Sequence, residues 1–185
     1  MRERGCRDTP LYTLSVETDE DGWEVEGLYD TCFAPGREAL SSYRLRNTVP
    51  PVKSLSLVAR DRDGILSGAI RYWPVTIASN TGKPTKTSAD PTALLLGPVA
   101  VHPTRQGEGL GGLLIQGSLD KAKSDGWARV MLVGDAPYYR RFGFMILHGV
   151  IMPPPTNPDR VLGLELRPGA WAGVTGRVER FAGSL

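Results

Sequence analysis

Apolar positions recur along the chain at spacings typical of short strands and helices, with one long helix in the second half. In the first half they predict a strand over residues 9–16, short helices over 23–33 and 39–45, a hairpin of strands over 55–59 and 65–77, and a loop over 79–91. In the second half they predict strands over 93–101, 128–133, 144–152 and 161–166, a long helix over 109–125 and a short helix over 137–141. This order predicts an α/β (α+β) fold, with a mixed sheet of about six to seven strands flanked by helices.

The predicted strand over residues 93–101 is apolar almost throughout, which is typical of a central strand buried on both faces. Gly97-Pro98 interrupts it, and a proline cannot donate a backbone hydrogen bond to a neighbouring strand. The sequence therefore predicts a bulge or a splay here, where backbone groups become available to a ligand. The long helix that follows has two apolar sides, and we expect it to be packed between two layers. Its apolar positions are Leu110, Leu113, Leu114 and Gly117 on one side, and Ile115, Leu119 and Ala122 on the other.

Composition and charge narrow the possible classes of protein. With 185 residues, 41% of them hydrophobic, the chain is expected to form one domain over residues 1–185. Its net charge of +2 gives no support for binding to nucleic acid or to an anionic membrane. Without an apolar signal region or a membrane-spanning stretch, a cytoplasmic location is expected. Two histidines and two cysteines, Cys6 and Cys32, predict neither a disulfide framework nor a metal site.

A glycine-rich turn joins the central strand to the long helix and is the strongest candidate for a ligand site. Glycines leave the backbone amides accessible, and the first N–H groups of a helix have no partner within the helix, so such a turn binds phosphate. No Gly-Lys-Ser/Thr follows Gly109, which excludes a P-loop, and the glycine spacing does not fit a dinucleotide-binding fingerprint. Taken alone, the turn is also compatible with a strand–helix junction that binds nothing.

Two segments together closely resemble the GCN5-related N-acetyltransferase (GNAT) family. The first is Leu-Gly-Pro-Val-Ala-Val-His-Pro over residues 96–103, followed by Gln-Gly-Glu-Gly-Leu-Gly over 106–111, which matches the acetyl-CoA motif Q/R-x-x-G-x-G/A. The second is Pro-Tyr-Tyr-Arg-Arg-Phe-Gly-Phe over 137–144, which resembles the family's aromatic-Tyr-x-x-x-Gly-Phe segment. It is most similar to predicted bacterial N-acetyltransferases with Tyr-Tyr-x-Arg-Phe-Gly-Phe. Both segments stand in the family's order and separation, so they carry more weight together than either does alone.

The resemblance implies that acetyl-CoA binds along the splayed strand and the glycine turn. The pantetheine arm would lie beside the backbones of Val99, Ala100 and Val101, and the pyrophosphate would bind the backbone amides of the turn. The residues of the turn are Gln106, Gly107, Glu108, Gly109, Leu110, Gly111 and Gly112. Arg105 and Arg141 stand where a phosphate contact is possible, and an ordinary surface charge fits each about as well.

The resemblance also assigns Tyr139 the role of the acid that protonates the departing thiolate, because it stands four residues before Gly143. An aromatic packing residue is the alternative, and packing in the core is the expected role of Tyr138. A general base is not apparent, since residues 93–101 contain no acidic side chain. Asp90, His102 and Asp135 are near strand ends, where a cap or turn role is the simpler interpretation. His148 is expected to lie in an apolar strand.

The function that follows is acetyl transfer from acetyl-CoA to an amine, with no metal and with a homodimer as a possible assembly. A non-catalytic acyl-CoA-binding or sensor module is one alternative, and a protein N-acetyltransferase acting in a complex is another. In the family the acceptor is bound by the region that corresponds to residues 23–46 and 79–91. Glu24, Glu26 and Asp30 could attract a cationic acceptor, although a solvated helix face explains them more simply.

Overall fold

The computed structural model describes residues 10–33, 36–79 and 91–183. Cys6, Asp90 and nearly all of the predicted loop over 79–91 lie outside these ranges. The strands are β1 (Tyr12–Val16), β2 (Leu57–Asp61), β3 (Leu66–Ala78), β4 (Thr92–Val101), β5 (Arg129–Val133), β6 (Met145–Ile146), β7 (Val150–Ile151), β8 (Val161–Glu165) and β9 (Gly176–Arg180). The α-helices are α1 (Gly22–Cys32), α2 (Ser41–Arg44), α3 (Leu110–Ser124) and α4 (Ala136–Tyr139). Short 3-10 turns cover Arg37–Ala39, Lys53–Leu55, Pro103–Arg105, Arg140–Phe142 and Pro158–Arg160.

Within the described ranges the strands form one mixed sheet in the order β1-β2-β3-β4-β5-β8-β6, with β9 beside β3 and β7 beside β9. Pairing is antiparallel except between β4 and β5 and between β7 and β9. The helix α3 makes the crossover from β4 to β5, as a parallel pair requires. The predicted mixed sheet with flanking helices is therefore confirmed, with nine strands in place of the expected six to seven.

Two strand predictions near the C-terminus are wrong. Residues 144–152 do not form one strand, because a turn at His148-Gly149 separates β6 from β7. His148 is exposed in this turn and does not lie within an apolar strand. The strand β9 was not predicted, and it follows β8, the strand that was expected to be the last. Its sequence contains few apolar residues, because the charged side chains on either side of Val178 face solvent.

The central strand β4 is buried on both faces, as its composition predicts. Leu94 and Leu96 pack into a core that contains the buried side of α3. Ala93 and Leu95, on the opposite face, pack into a second core with residues of β3, β5 and β9. Side chains that alternate between two cores leave this strand no solvent-facing side. Movement of β4 is therefore resisted by both layers.

The helix α3 packs through one face only, so the prediction that it lies between two layers is wrong. Its buried residues are Leu110, Leu114, Ile115, Ser118, Leu119 and Ala122, which share one side of a helix with 3.6 residues per turn. Leu113 lies off this face and is 44% exposed. At Gly117 an added Cβ would lie 3.0 Å from Cδ1 of Leu14, so the glycine allows β1 to pass close to the helix.

Candidate active site

The strands β4 and β5 run side by side for only a short distance before they separate. Their parallel register ends at Leu95↔Met131, although β4 continues to Val101. On its other edge, the register of β4 with β3 shifts at Gly97-Pro98, so that β4 contains one residue more than its partner there. The predicted bulge and the predicted splay are thus both present, and they leave an opening in the sheet beyond Leu95.

The backbone of β4 presents alternate residues to this opening. The N–H group of His102 donates a hydrogen bond to the carbonyl of Ser67 on β3 at 2.9 Å. Since backbone groups of successive strand residues point in opposite directions, Ala100 also faces β3, whereas Val99 and Val101 face the opening. Val99 and Val101 therefore direct their backbone groups to the opening, where a pantetheine arm is predicted to lie. The same prediction for Ala100 is not supported, because its backbone groups are directed to the neighbouring strand.

The glycine turn forms an open entrance to α3. Gly107 and Gly109 have φ angles of +88° and +82°, in the left-handed region that residues other than glycine rarely adopt. A Cβ at either position would meet nothing within 4 Å, so the backbone conformation is what requires glycine. Gly109 is also the N-cap of α3 and makes no side-chain cap bond. The first N–H groups of α3 have no partner within the helix, and Leu110, Gly111 and Gly112 line the groove described next.

Most of the predicted cofactor-binding residues line one groove of about 400 Å³ at the start of α3. Its walls come from the end of β4, the glycine turn and the Tyr138–Arg141 region. The lining residues are Val101, Arg105, Gln106, Gly107, Gly109, Leu110, Gly111, Gly112, Tyr138 and Arg141. The groove is long and open, as a site for a phosphate-bearing ligand at a helix N-terminus would be.

Three side chains in or next to the turn already form hydrogen bonds within the protein. Glu108 accepts a hydrogen bond from the hydroxyl of Tyr12, and this bond raises the pKa of Tyr12. Glu108 is not among the residues that line the groove. Arg105 lines the groove but donates to Oδ2 of Asp61 at 2.7 Å. Its charge is thus partly neutralised by the protein itself. The side chain of Gln106 donates to the carbonyl of Val101 at 3.2 Å and so ties the turn to β4.

Tyr138 forms part of the groove wall and does not pack in the core, so the expected role is wrong. It is 39% exposed, and Cζ of Arg141 lies 4.1 Å from the centre of its ring. A guanidinium over an aromatic face is held in place without losing its charge. Arg141 therefore presents a positioned positive charge to the groove.

Tyr139 lies at the opening of the sheet, in a second cavity of about 170 Å³ that also includes Leu96, Gly97, Pro98, Val99 and Leu132. Its ring packs edge-on against Phe144, with centroids 5.8 Å apart. Burial raises the pKa of the Tyr139 hydroxyl to about 12, so the hydroxyl keeps its proton at neutral pH. The side chain therefore packs against the core and brings a protonated hydroxyl group to the cavity.

Of the suggested bases, Asp90 lies outside the described residues, and His102 and Asp135 do not line the Tyr139 cavity. His102 caps the following 3-10 turn, where its Nδ1 lies 2.8 Å from Oγ1 of Thr104. Asp135 is exposed at the N-cap position of α4. No aspartate or glutamate is among the described residues that line the Tyr139 cavity.

Sequence reasoning missed two arginines on the other wall of this cavity. Arg37 and Arg46 line it together with Tyr43. The sequence around α2 contains arginines close to aromatic residues, which could have indicated this wall. The sequence does not show which of these arginines is buried. Arg37 binds Glu26 and Asp30, at 2.9 and 2.7 Å. Both carboxylates are therefore paired with Arg37, although their side chains lie on the solvated face of α1 and remain 49% and 71% exposed.

Glu24 is engaged in the same way, since its Oε2 lies 2.6 Å from Nη2 of Arg60. In the part of the chain that the structure describes, no group of three His, Cys, Asp or Glu side chains could hold a metal ion. No helix found there is long and apolar enough to cross a membrane.

Comparison with known proteins agrees with this geometry. The family model of the acetyltransferase (GNAT) domain matches residues 17–147. The uncharacterized N-acetyltransferase YhbS of Escherichia coli K12 is 29% identical over 168 residues, which cover 90% of this chain and 94% of that protein.

Two solved structures extend the similarity to proteins with bound ligands. The crystal structure of YhbS from Escherichia coli in complex with CoA matches with a TM-score of 0.77 at 26% identity, over 96% of this chain and 94% of that chain. A GNAT family acetyltransferase from Brucella melitensis in complex with acetyl-CoA matches with a TM-score of 0.65 at 29% identity, over 92% and 96% of the two chains. The splayed sheet, the glycine turn and a family model that spans most of the chain lead to one conclusion: this protein belongs to the GNAT family of N-acetyltransferases.

Proposed function

We propose that the enzyme transfers an acetyl group from acetyl-CoA directly to a primary amine, without a covalent enzyme intermediate. The observation that carries this proposal is that two cavities border the same free edge of β4. The groove at the glycine turn includes Val101, and the cavity at Tyr139 includes Val99. A phosphate-binding end and a reaction end on one strand edge fit a long, extended ligand.

The described residues fit acetyl-CoA at both ends. Backbone amides from Gln106 to Gly112 would bind the pyrophosphate, and Arg141 would add a positive charge beside it. A Cβ at Gly111 would lie 3.2 Å from the hydroxyl of Tyr138 and would narrow the groove. The backbones of Val99 and Val101 would hold the amides of the pantetheine arm as a neighbouring strand does. When bound, acetyl-CoA would supply a thioester activated for attack by an amine.

Tyr139 would hold the proton that the departing sulfur needs. Its hydroxyl is protonated at neutral pH because burial raises its pKa to about 12. A positioned acid of this kind contributes typically ~10²–10⁴-fold to the rate. The N–H group of Val99, directed into the opening, would stabilise negative charge on the thioester oxygen.

The acceptor amine must reach the cavity in its neutral form to attack. Among the described lining residues, no carboxylate is available to stabilise an ammonium ion there. Desolvation in such a cavity lowers the pKa of an amine, and the proton is then released to water. As the amide forms, the attacking nitrogen gives up one more proton through water, and this proton restores the Tyr139 hydroxyl that protonated the sulfur. A dedicated carboxylate base is not needed for these steps.

The test combines ligand binding with turnover. Acetyl-CoA should raise the melting temperature by mass action, and CoA release should depend on added amine. Tyr139→Phe should lower kcat by about 10²–10⁴-fold, with CoA affinity retained. The matched control is Tyr72→Phe, which removes the buried hydroxyl bonded to Ser118 and leaves the cavity lining intact.

The outcomes separate the possible functions. Acetyl-CoA binding without CoA release for any amine would support a sensor module and contradict the proposal. Unchanged turnover in Tyr139→Phe would remove this residue from the chemistry. Acetylation of peptides in preference to every small amine would favour a protein-modifying enzyme.

A further inference from the structure

On the acceptor side of the Tyr139 cavity, Arg46 carries a positive charge that no described carboxylate pairs with, whereas the charge of Arg37 is paired with Glu26 and Asp30. Opposite the β4 bulge, the cavity wall consists of the segment from Arg37 to Arg46 with α2 at its centre. Two arginines and no acidic residue are among the described residues that line the cavity. A cationic acceptor such as a polyamine would find no partner on these surfaces.

Arg46 is the unusual member of this wall. Its Nε and Nη1 atoms are buried and have no hydrogen-bond partner among the described residues. Cζ lies 4.2 Å from the ring centre of Tyr43 and 4.7 Å from that of Trp73. The aromatic rings hold the guanidinium in position, and a hydrogen bond with Tyr43 partly offsets the effect of burial on its pKa. Burial lowers the pKa of Arg46 to about 10, as expected of a charge without a counter-ion.

The other buried arginines nearby have their own carboxylates. Arg37 binds Glu26 and Asp30, and Arg71 binds Glu17 and Glu26. Farther away, Arg129 also has unpaired buried nitrogens, but Glu165 stands opposite it on β8. Burying a charge without a partner is costly, so a retained unpaired arginine on a cavity wall indicates that a ligand supplies the anion.

The guanidinium of Arg46 also lies close to the reaction end. A Cβ built on Gly97 would be 3.8 Å from its Nη2 atom. Gly97 belongs to the bulge that opens the sheet, and Tyr139 borders the same cavity. A small molecule bound to Arg46 would thus have its other functional groups beside the strand edge where the thioester is expected.

We propose that the acceptor is a small primary amine that also carries a carboxylate, and that the guanidinium of Arg46 binds this carboxylate. This inference rests on the proposed acetyl transfer and specifies its acceptor. A planar guanidinium pairs with a carboxylate through two parallel hydrogen bonds, one of which would satisfy one of the unpaired nitrogens. The cavity of about 170 Å³ favours a free amino acid or a similar small molecule over a protein segment.

The experiment compares matched amines on the wild-type enzyme. Each free amino acid is tested against its carboxamide, and CoA release is measured. The best amino acid should exceed its carboxamide in kcat/KM by about 10- to 100-fold, the range for a charge-assisted hydrogen-bonded pair. In a separate arm, phosphoethanolamine is compared with ethanolamine. This comparison distinguishes recognition of a phosphate group from recognition of a carboxylate.

Arg46→Gln should abolish this preference by lowering the rate for the amino acid toward that of its carboxamide. Arg46→Lys, which keeps the charge but loses the planar fork, should retain part of it. Arg44→Gln is the matched control, because Arg44 is an exposed arginine at the end of α2, two residues before Arg46, and does not line the cavity. It should leave the preference unchanged.

Equal rates for amino acids and carboxamides would overturn this inference while acetyl transfer stands. A preference for phosphoethanolamine over every amino acid would overturn the carboxylate assignment. If no amine releases CoA, the proposed function fails and the acceptor assignment fails with it. If Arg46→Gln does not fold, the wild-type ratios still decide the matter.

Discussion

Gly134→Ala tests whether the position of the Tyr139 ring controls turnover. Gly134 directly follows β5, and an added Cβ would lie 2.4 Å from Cε2 of Tyr139 and 2.8 Å from Cδ1 of Leu132. Carbon atoms pack at about 3.5–4.0 Å, so the ring or the backbone must move by about 1 Å. The backbone resists this movement, because the N–H group of Gly134 donates to the carbonyl of Arg160 at 2.9 Å. The ring is therefore the part that is displaced.

The expected losses follow from this displacement. A misplacement of about 1 Å at a reacting group costs on the order of 10²-fold in rate, so kcat should fall by about that factor. Overpacking should also cost about 1–3 kcal/mol of stability. CoA affinity should remain unchanged, because Gly134 does not line the groove at the glycine turn.

The assay combines CoA-release kinetics, calorimetric CoA binding and urea unfolding. Gly27→Ala in α1 is the control: an added Cβ meets nothing within 4 Å, so stability should rise by about 0.5–1 kcal/mol without loss of turnover. A folded Gly134→Ala protein with wild-type kcat would refute the reasoning, since Tyr139 would then act from a displaced position or not at all.

Three further predictions concern the glycine turn and two titrating groups. Gly107→Ala should weaken CoA binding in calorimetry, because an alanine at a φ of +88° is strained by about 1–2 kcal/mol; unchanged affinity would show that the turn tolerates a side chain. The pH–rate profile should show no loss of kcat from Tyr139 below about pH 10, because its pKa is raised to about 12 and the acid form persists. A descending limb near pH 8 that disappears in Tyr139→Phe would contradict this. Asp21 has its pKa lowered from 3.8 to about 2 by the backbone N–H of Thr18 and by Arg60. Its charged form therefore stabilises the fold above pH 4, and the stability difference between wild type and Asp21→Asn in urea should shrink as the pH falls from 4 toward 2. A difference that stays constant over that range would show that the carboxylate charge does not contribute.

The groove at the glycine turn could be predicted from sequence because its signals are local. Glycines at fixed spacing, the Gly97-Pro98 interruption and the start of α3 lie within a short stretch of chain. Backbone groups and helix starts form the groove there, and few long-range contacts are needed. The splay of β4 could be predicted because Pro98 has no backbone N–H group to donate to a neighbouring strand.

The acceptor side could not be predicted because it depends on contacts that are distant in sequence. The surroundings of the Arg46 guanidinium are formed by Trp73 and by the bulge of β4. The residues that neighbour Arg46 in the sequence give no sign of these contacts. Tyr138 and Tyr139 are adjacent and chemically alike, yet one faces the groove and the other the cavity. The turn at His148-Gly149 was missed because the apolar residues on either side of it suggested one continuous strand.

The wall that carries Arg46 is fastened to β3 and not to the cofactor groove. Val52 donates its N–H to the carbonyl of Tyr72 at 2.8 Å, and Nε1 of Trp73 donates to the carbonyl of Val49 at 3.0 Å. The glycine turn is held separately, through Gln106 on Val101. Because the two halves have independent attachments, side chains on the α2 segment can be exchanged without disturbing the glycine turn. An engineer can therefore redesign acceptor choice in this enzyme as a problem separate from acetyl-donor binding.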